Sequence, residues 1–378
     1  MTQIKYTKRI GHLFEKMIDR DNLKLAIQNA ARRKRNRASV RRVLNDIEKY
    51  TDKLYEILSS ESFNPHQYAI REINDGIKKK KRIIAVPRFF PDQCIHHAFV
   101  QIFKEVVTHS AYEYSCGCVP GKGTDGARKV ITHWIKTDPA GTSKVAQLDV
   151  KHCYPTLSHA KLQGKLKKRI KDKRFLRLAY KIIASYQQPM ATGERLVPEI
   201  EAVGIPVGLY TSPWFLNFFF QDLDHKISEK CGLHHYVRYV DDIVLFDTSK
   251  RKLHKAVKFI SKELEAVNMR LKHTWQVFRL KFRPLDFLGY RFHTDHVSLR
   301  KTIMHRMSRK ARTIAKKDYI SLTNASGMVS YMGYIKATDS YRFWEKYIRP
   351  YVNIKQLKGV ISHETVSYTH LRAHETLR

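Results

Sequence analysis

Tyr236-Val237-Arg238-Tyr239-Val240-Asp241-Asp242-Ile243-Val244-Leu245-Phe246 is the stretch on which the fold of this chain turns. Two runs rich in Val, Ile, Tyr and Phe flank a pair of adjacent acids, which predicts strand, tight turn, strand. Asp suits such a turn because its carboxylate can bond its own backbone. Two carboxylates held side by side on a rigid hairpin repel each other. A divalent cation relieves that repulsion, and Mg²⁺ is characteristically held by one or two carboxylates together with substrate phosphates. The alternative is an ordinary acidic hairpin turn, so the surrounding chain has to discriminate.

The charge balance points to a polyanion. The 378 residues carry 71 Lys+Arg against 35 Asp+Glu, a net charge of +36. That imbalance favours nucleic acid as a partner and says nothing about fold. With 43% hydrophobic residues the chain can build a core and is not of the disordered class. Its length predicts two or three structural units. No apolar run reaches the roughly 18 residues of a transmembrane helix; the longest, Trp214 to Phe220, is broken by Asn217. The start, Met1-Thr2-Gln3-Ile4-Lys5-Tyr6, lacks an apolar signal region. A cytoplasmic location and no membrane partner are therefore expected. Five cysteines at irregular spacing fit a reducing compartment without a disulfide framework. Cys116-Gly117-Cys118 lacks the gap and the second pair of a zinc site, and the pairs His96-His97 and His234-His235 read as structural.

Outward from the hairpin, apolar spacing predicts a helix over 12–31 with Asp21 as its cap. A basic run, Arg32-Arg33-Lys34-Arg35-Asn36-Arg37 with Arg41-Arg42, leads into a second helical stretch to about Ser59 and reads as a backbone-binding surface. Two strands flank the turn Asn74-Asp75-Gly76, and Lys78-Lys79-Lys80-Lys81-Arg82 enters the second. A helix is expected over 93–108. The loop Val119-Pro120-Gly121-Lys122-Gly123 fails the spacing of a P-loop. Val145 to Val150 reads as a buried strand carrying Asp149 near its end. Residues 158–188 read as one basic helix, 212–228 and 250–266 as further helices, and Gly204-Ile205-Pro206-Val207-Gly208 as a loop. Phe287 to Phe292 is a short strand pair or turn, and a basic helical segment follows to about 360. The last thirteen residues, 366–378, resemble translated sequencing adapter and are set aside as non-native.

Asp149, Asp241 and Asp242 on neighbouring strands could hold two divalent ions that clamp the attacking and leaving oxygens of a phosphoryl displacement. At this point the chain resembles a reverse transcriptase. Leu148-Asp149-Val150-Lys151-His152-Cys153-Tyr154 looks like the first catalytic block of that family, and Tyr239-Val240-Asp241-Asp242 like the third. Val207-Gly208-Leu209-Tyr210-Thr211-Ser212-Pro213 with Asn217 looks like the second. Phe287-Leu288-Gly289-Tyr290 is similar to the primer grip, and Lys80-Lys81-Arg82 to the cations of the fingers. The blocks keep their order over about residues 63–350.

The resemblance implies an α+β right-hand polymerase with an antiparallel palm sheet. It implies a basic helical N-terminal extension (1–60), fingers (61–144), palm (145–295, with fingers elements within 160–200), a helical thumb (296–362) and a tail (363–378). Asp149, Asp241 and Asp242 would be the catalytic acids. With the Val150 carbonyl they would bind two Mg²⁺ ions, for which Mn²⁺ can substitute. Lys80, Arg82, His152, Cys153, Tyr154, Val207 and Gly208 would surround the incoming dNTP. Arg82 would hold its triphosphate, and Tyr154 would act as a steric gate against a ribose 2′-hydroxyl. Phe287, Leu288, Gly289 and Tyr290 would form the primer grip, and Lys272 would give a proton to pyrophosphate. The partners implied are an RNA template, a DNA or RNA primer and dNTPs, with room for an accessory protein.

Within the family, an apolar Val207 before Gly208 resembles the enzymes of diversity-generating retroelements and retrons. Pro213 after Ser212 departs from the retroelement pattern. The short chain and the segments around Val119, Trp275 and Leu285 to Phe292 favour a diversity-generating or other phage or bacterial element. A retron, group II-intron-like or phage-defence enzyme is the alternative. Val240 and Tyr154 argue against an RNA-directed RNA polymerase. A non-catalytic nucleic-acid-binding protein would explain the charge but not the three acids.

Overall fold

The computed structural model describes residues 9–75, 80–186 and 202–362, and the side chains of all of these except 74, 75 and 80. Gly76 of the expected turn, Lys78 and Lys79, the amino-terminal Met1–Tyr6, the end of the helix expected to 188, the segment 189–200 and the tail 363–378 lie outside the described residues. Ten strands are described: β1 (Ala69–Asp75), β2 (Lys80–Val86), β3 (Lys144–Lys151), β4 (His235–Tyr239), β5 (Asp242–Asp247), β6 (Arg270–Leu271), β7 (Gln276–Arg279), β8 (Leu285–Phe287), β9 (Tyr290–Phe292) and β10 (Val297–Leu299). The chain forms two compact units. One holds residues up to Gly123 and Ala146–Val277; the other holds Thr124–Val145 and the chain from Phe278 onward.

The first unit is built around two apolar helices, Cys94–His109 and Ser212–Lys230. Phe99 and Phe103 meet Phe215 at ring separations of 5.6 and 5.5 Å, and Phe175 stacks on Phe99 at 4.6 Å. Both helices are buried nearly all round, as interior helices are. The helix Lys250–Glu265 instead buries a stripe of Leu253, Ala256, Val257, Ile260 and Leu264, the spacing of a one-sided surface helix. It begins where the Ser249 hydroxyl accepts from the Lys252 amide at 3.3 Å.

A five-stranded sheet lies in order β4-β5-β3-β6, with β7 paired to β3. β4 and β5 are antiparallel, with Tyr239 opposite Asp242, and β3 runs antiparallel to β6. Separately, β1 and β2 form an antiparallel ribbon with Ile73 opposite Arg82.

Two helices expected to be continuous are broken, each by an aspartate. Residues 12–31 form Leu13–Ile18 and Arg20–Ala30, and the cap is Asp19, not Asp21. The Asp19 carboxylate accepts the amides of Asp21 and Asn22 at 3.0 and 3.2 Å. Residues 158–188 form His159–Arg169 and Lys173–Ala184. Between them Asp172 accepts the Phe175 amide at 3.0 Å through one oxygen, and the amides of Leu13 and Phe14 at 2.9 and 2.8 Å through the other. One carboxylate thus starts two helices that are far apart in sequence. The stretch to Ser59 is likewise two helices, Ala38–Asn45 and Ile47–Ser59.

In the second unit, β8, β9 and β10 form a three-stranded antiparallel sheet. β10 replaces the helix expected directly after residue 292. Val297 and Leu299 are buried and Ser298 is not, an alternation with strand period. The helices Lys301–Ala315, Leu322–Lys336 and Tyr341–Tyr347 follow. No helix among the described residues is long and apolar enough to cross a membrane.

Candidate active site

The hairpin predicted at Tyr236–Phe246 is present, and its loop is only Val240-Asp241. Asp242 is already the first residue of β5. A two-residue loop matches the right-handed twist of its strands when the first central residue has positive φ, a place usually taken by glycine. Val240 takes it here, at φ 59°. A β-branched residue there costs on the order of 1–3 kcal/mol and persists only where neighbours impose it.

Those neighbours are found behind the turn. Gly117 packs so closely on it that a Cβ at that position would fall 2.6 Å from both Val240 Cγ2 and the Val240 nitrogen. Arg238, 1% exposed, donates through Nη1 to the Val240 carbonyl at 2.8 Å. Its charge is matched by the fully buried Asp224, which accepts from Nε at 2.7 Å and from Nη2 at 2.6 Å. Ser115 Oγ and Asn217 Oδ1 accept from the same guanidinium at 2.9 and 3.2 Å. Sequence reasoning missed Arg238, Asp224, Ser115 and Gly117. A signal existed: an arginine on the same strand face as the buried Tyr236 needs an acid inside the protein.

β3 delivers Asp149 to the turn. The Val150 amide donates to the Asp241 carbonyl at 3.1 Å, so the two acids' backbones are one hydrogen bond apart. Lys272 follows β6, its amide donating to the Asp149 carbonyl at 2.8 Å and its ammonium lying 2.5 Å from Asp149 Oδ2. Asp149 Oδ1 is buried and has no hydrogen-bond partner among the described residues. Burial pushes the Asp241 carboxyl up from its ordinary value and the Asp149 charge adds to this, while its own backbone hydrogen bond, Lys272 and Arg82 pull the other way. An orphaned carboxylate oxygen beside an acid that is costly to ionise fits a cation that completes both. Among the described residues no three His, Cys, Asp or Glu side chains already converge as a ready-made metal cluster.

His152 is exposed at φ 50° and Cys153 is buried. The Cys153 thiol is pushed up by burial first, then by Asp241 and Asp149. Tyr154 is half-buried, its phenol raised by burial first and then by Cys153, Cys118 and Asp241. The Tyr154 carbonyl accepts from Ile205 at 2.9 Å, and the Leu157 carbonyl accepts from Gly204 at 2.8 Å, which ties the glycine loop to this block. The Val207 carbonyl accepts from the Ala85 amide at 2.8 Å. Gly208, at φ 113°, approaches so closely that a Cβ would sit 2.5 Å from the Ala85 oxygen; only glycine fits. The loop is thereby joined to β2, which carries Arg82, exposed and within electrostatic reach of Asp241. Lys80 begins β2, and its side chain is outside the described set. Phe287 and Tyr290 pair across the turn Leu288-Gly289 in the second unit, with φ 53° and 91° at the two turn residues.

A groove of about 760 Å³ runs past Gly208 in the first unit, lined by Lys34, Arg37, Arg71, Ile84, Val119 and Tyr210. Tyr210 stacks on His97 at 3.9 Å. In the second unit a groove of about 860 Å³ is lined by Lys301, Arg309, Arg312 and Lys316 with Phe343 and Tyr347. Cationic grooves edged with aromatic rings suit a nucleic-acid backbone and its bases.

Residues 33–292 match the family model described as reverse transcriptase (RNA-dependent DNA polymerase). An uncharacterized 91 kDa protein in the cob intron of Schizosaccharomyces pombe is 30% identical over 187 residues, which are 47% of this chain and 21% of that protein. The chain thus spans about a fifth of the length of that curated relative. Among solved structures, telomerase from Candida albicans in complex with a fragment of telomeric RNA is similar at 12% identity and a TM-score of 0.49, covering 79% of this chain and 59% of that one. Truncated apo telomerase from Candida tropicalis is similar at 15% identity and a TM-score of 0.45, covering 65% and 58%. With its family model matched over most of its length, the chain belongs to the reverse transcriptases, nucleotidyltransferases of the right-hand polymerase fold.

Proposed function

We propose that this chain extends a primer 3′-hydroxyl with dNTPs on an RNA template, using the acids of β3 and the β4–β5 turn. The observation that carries this is the junction of Asp149 and Asp241 through the Val150 amide, with Asp149 Oδ1 unpaired. Asp149, Asp241 and Asp242, with the Val150 carbonyl, would hold two divalent ions, Mg²⁺ by preference for carboxylate and phosphate oxygens. Such ions supply charge stabilisation for the attacking and leaving oxygens of the phosphoryl transfer. The protein's own residues do the positioning. Arg82 binds the triphosphate, Gly208 lets the chain lie against the nascent pair, and Lys272 supplies a proton to the departing pyrophosphate. Tyr154 sits on the first block with its phenol neutral and excludes a 2′-hydroxyl by bulk. His152, Cys153 and Val207 complete the dNTP pocket, and Phe287 to Tyr290 grip the primer.

In this reading residues 1–60 supply the N-terminal extension, 61–144 the fingers, 145–295 the palm and 296–362 the thumb, whose cationic groove tracks the duplex. The finer origin, a diversity-generating or other phage or bacterial retroelement, rests on Val207 at the second block. A relative of part of the chain encoded in an intron keeps a group II-intron-like element as the second reading. Primer extension on a defined RNA template tests the reading. dNTPs with Mg²⁺ should be incorporated, and a preference for NTPs would sink it.

A further inference from the structure

The buried arginine behind the acids has no part in the chemistry outlined above. We propose that Arg238 is a positioning residue that holds the Val240-Asp241 turn, and with it the Asp241 carboxylate, in working geometry. The proposal rests on the reading of Asp241 as a catalytic acid.

An arginine has five N–H donors, and all five are used. Nε and one Nη2 hydrogen serve Asp224, the other Nη2 hydrogen serves Ser115, and the two Nη1 hydrogens serve Asn217 and the Val240 carbonyl. The backbone of Arg238 is fixed as well: its amide donates to Tyr114 at 3.1 Å, and its carbonyl accepts from Cys116 at 2.8 Å. Every donor of the guanidinium is therefore engaged, and the one bond it sends forward lands on the strained residue of the turn. Gly117 closes the other side by direct contact with Val240. Asn217 joins the two halves, donating to the Gly117 carbonyl at 2.5 Å while accepting from Arg238. β4, the 115–117 loop and the helix Ser212–Lys230 thus converge on a single peptide.

A buried ion pair that served only the core would have no need to reach the turn. Lysine at 238 would keep the charge but offers three donors from one point, without the planar fork. It cannot serve Asp224, Ser115, Asn217 and Val240 together. Glycine at 240 takes positive φ without strain, so a turn with glycine needs less holding. That difference separates positioning from simple core stability.

The test is a double-variant cycle in the full chain: wild type, Arg238→Lys, Val240→Gly and the two combined. Each is measured for dNTP incorporation, template–primer affinity and amide exchange of the free protein over 236–246. Arg238→Lys should lower kcat by about 10²-fold, the loss expected from misplacing a reacting group by about an ångström, with template–primer Kd unchanged. Its amides at 239–242 should exchange faster than in wild type. In the Val240→Gly background the same substitution should cost much less kcat and change exchange little. Equal fold-losses in both backgrounds, or a loss confined to Kd, would overturn the inference. If Arg238→Lys fails to melt cooperatively, Asn217→Ala replaces it in the cycle, since it leaves the Arg238–Asp224 pair intact. Should wild type incorporate no dNTP, the polymerase reading fails, and the exchange measurements still decide whether Arg238 holds the turn.

Discussion

The Lys272 ammonium lies 2.5 Å from Asp149 Oδ2, so the first acid of the site is met by a cation supplied by the chain itself. An ammonium there neutralises one oxygen and leaves the other, Oδ1, without a partner among the described residues. To give a proton to pyrophosphate, Lys272 would have to leave this contact, and a divalent cation held by the acids would take its place at Asp149. Lys272→Met should therefore lower kcat by about 10²–10⁴-fold, the usual contribution of general-acid catalysis, with little change in template–primer affinity. A full-rate Lys272→Met enzyme in single-turnover extension would remove Lys272 from the mechanism.

Asp241 gives a pH prediction for the metal-free protein. Its carboxyl is held above the ordinary value by burial and by Asp149. A raised carboxyl binds its proton more tightly folded than unfolded, so this group's contribution to stability is greatest at low pH. That contribution falls as pH rises from the unfolded value of about 3.9 through the raised folded value. Asp241→Asn removes the penalty. It should melt a few degrees above wild type at neutral pH without divalent cation, and the gap should close on acidification. Melting curves across that range check it, and a variant less stable than wild type at neutral pH would contradict it.

Tyr154 makes a specificity prediction. If its ring excludes a 2′-hydroxyl, Tyr154→Ala should admit ribonucleotides, cutting discrimination by about tenfold or more, the scale of a steric pocket contact. Steady-state kcat/KM for matched dNTP and NTP pairs measures this. Unchanged discrimination assigns Tyr154 to packing alone.

The groove beside the helix Lys301–Ala315 makes a salt prediction. Arg309 and Arg312 are exposed and line it. If each neutralises one phosphate, Arg309→Gln with Arg312→Gln should reduce the slope of log affinity against log salt by about 1.8, at roughly 0.9 per contact. The loss should be the same for unrelated sequences. A titration of template–primer binding from low to moderate salt reads the slope, and an unchanged slope means the groove faces something else.

The sequence made some of this legible and hid the rest for identifiable reasons. The β4–β5 hairpin could be read because two β-prone runs and the turn chemistry between them agree over eleven consecutive residues. The helix Lys250–Glu265 could be read because its buried stripe repeats at helical spacing. The breaks at Asp19 and Asp172 could not, because an aspartate within a helical pattern becomes a cap only when its carboxylate meets the right amides. For Asp172 two of those amides, at Leu13 and Phe14, come from the far end of the chain. The acids and the glycine loop stood out as motifs, but the support beneath them did not. Arg238 looked like one more cation in a chain rich in them. Only folding brings Asp224, Ser115 and Asn217 to it.

Wild type compared with Asp241→Asn on one RNA template and DNA primer, with dNTPs and Mg²⁺, decides whether the acid of the turn acts in the reaction. Binding of the template–primer should be preserved within about twofold, while extension falls by about 10³-fold or more, since losing a metal-binding acid removes several kcal/mol of transition-state stabilisation. Extension at the wild-type rate by Asp241→Asn would contradict the account, because the acids of the turn would then have no part in the reaction.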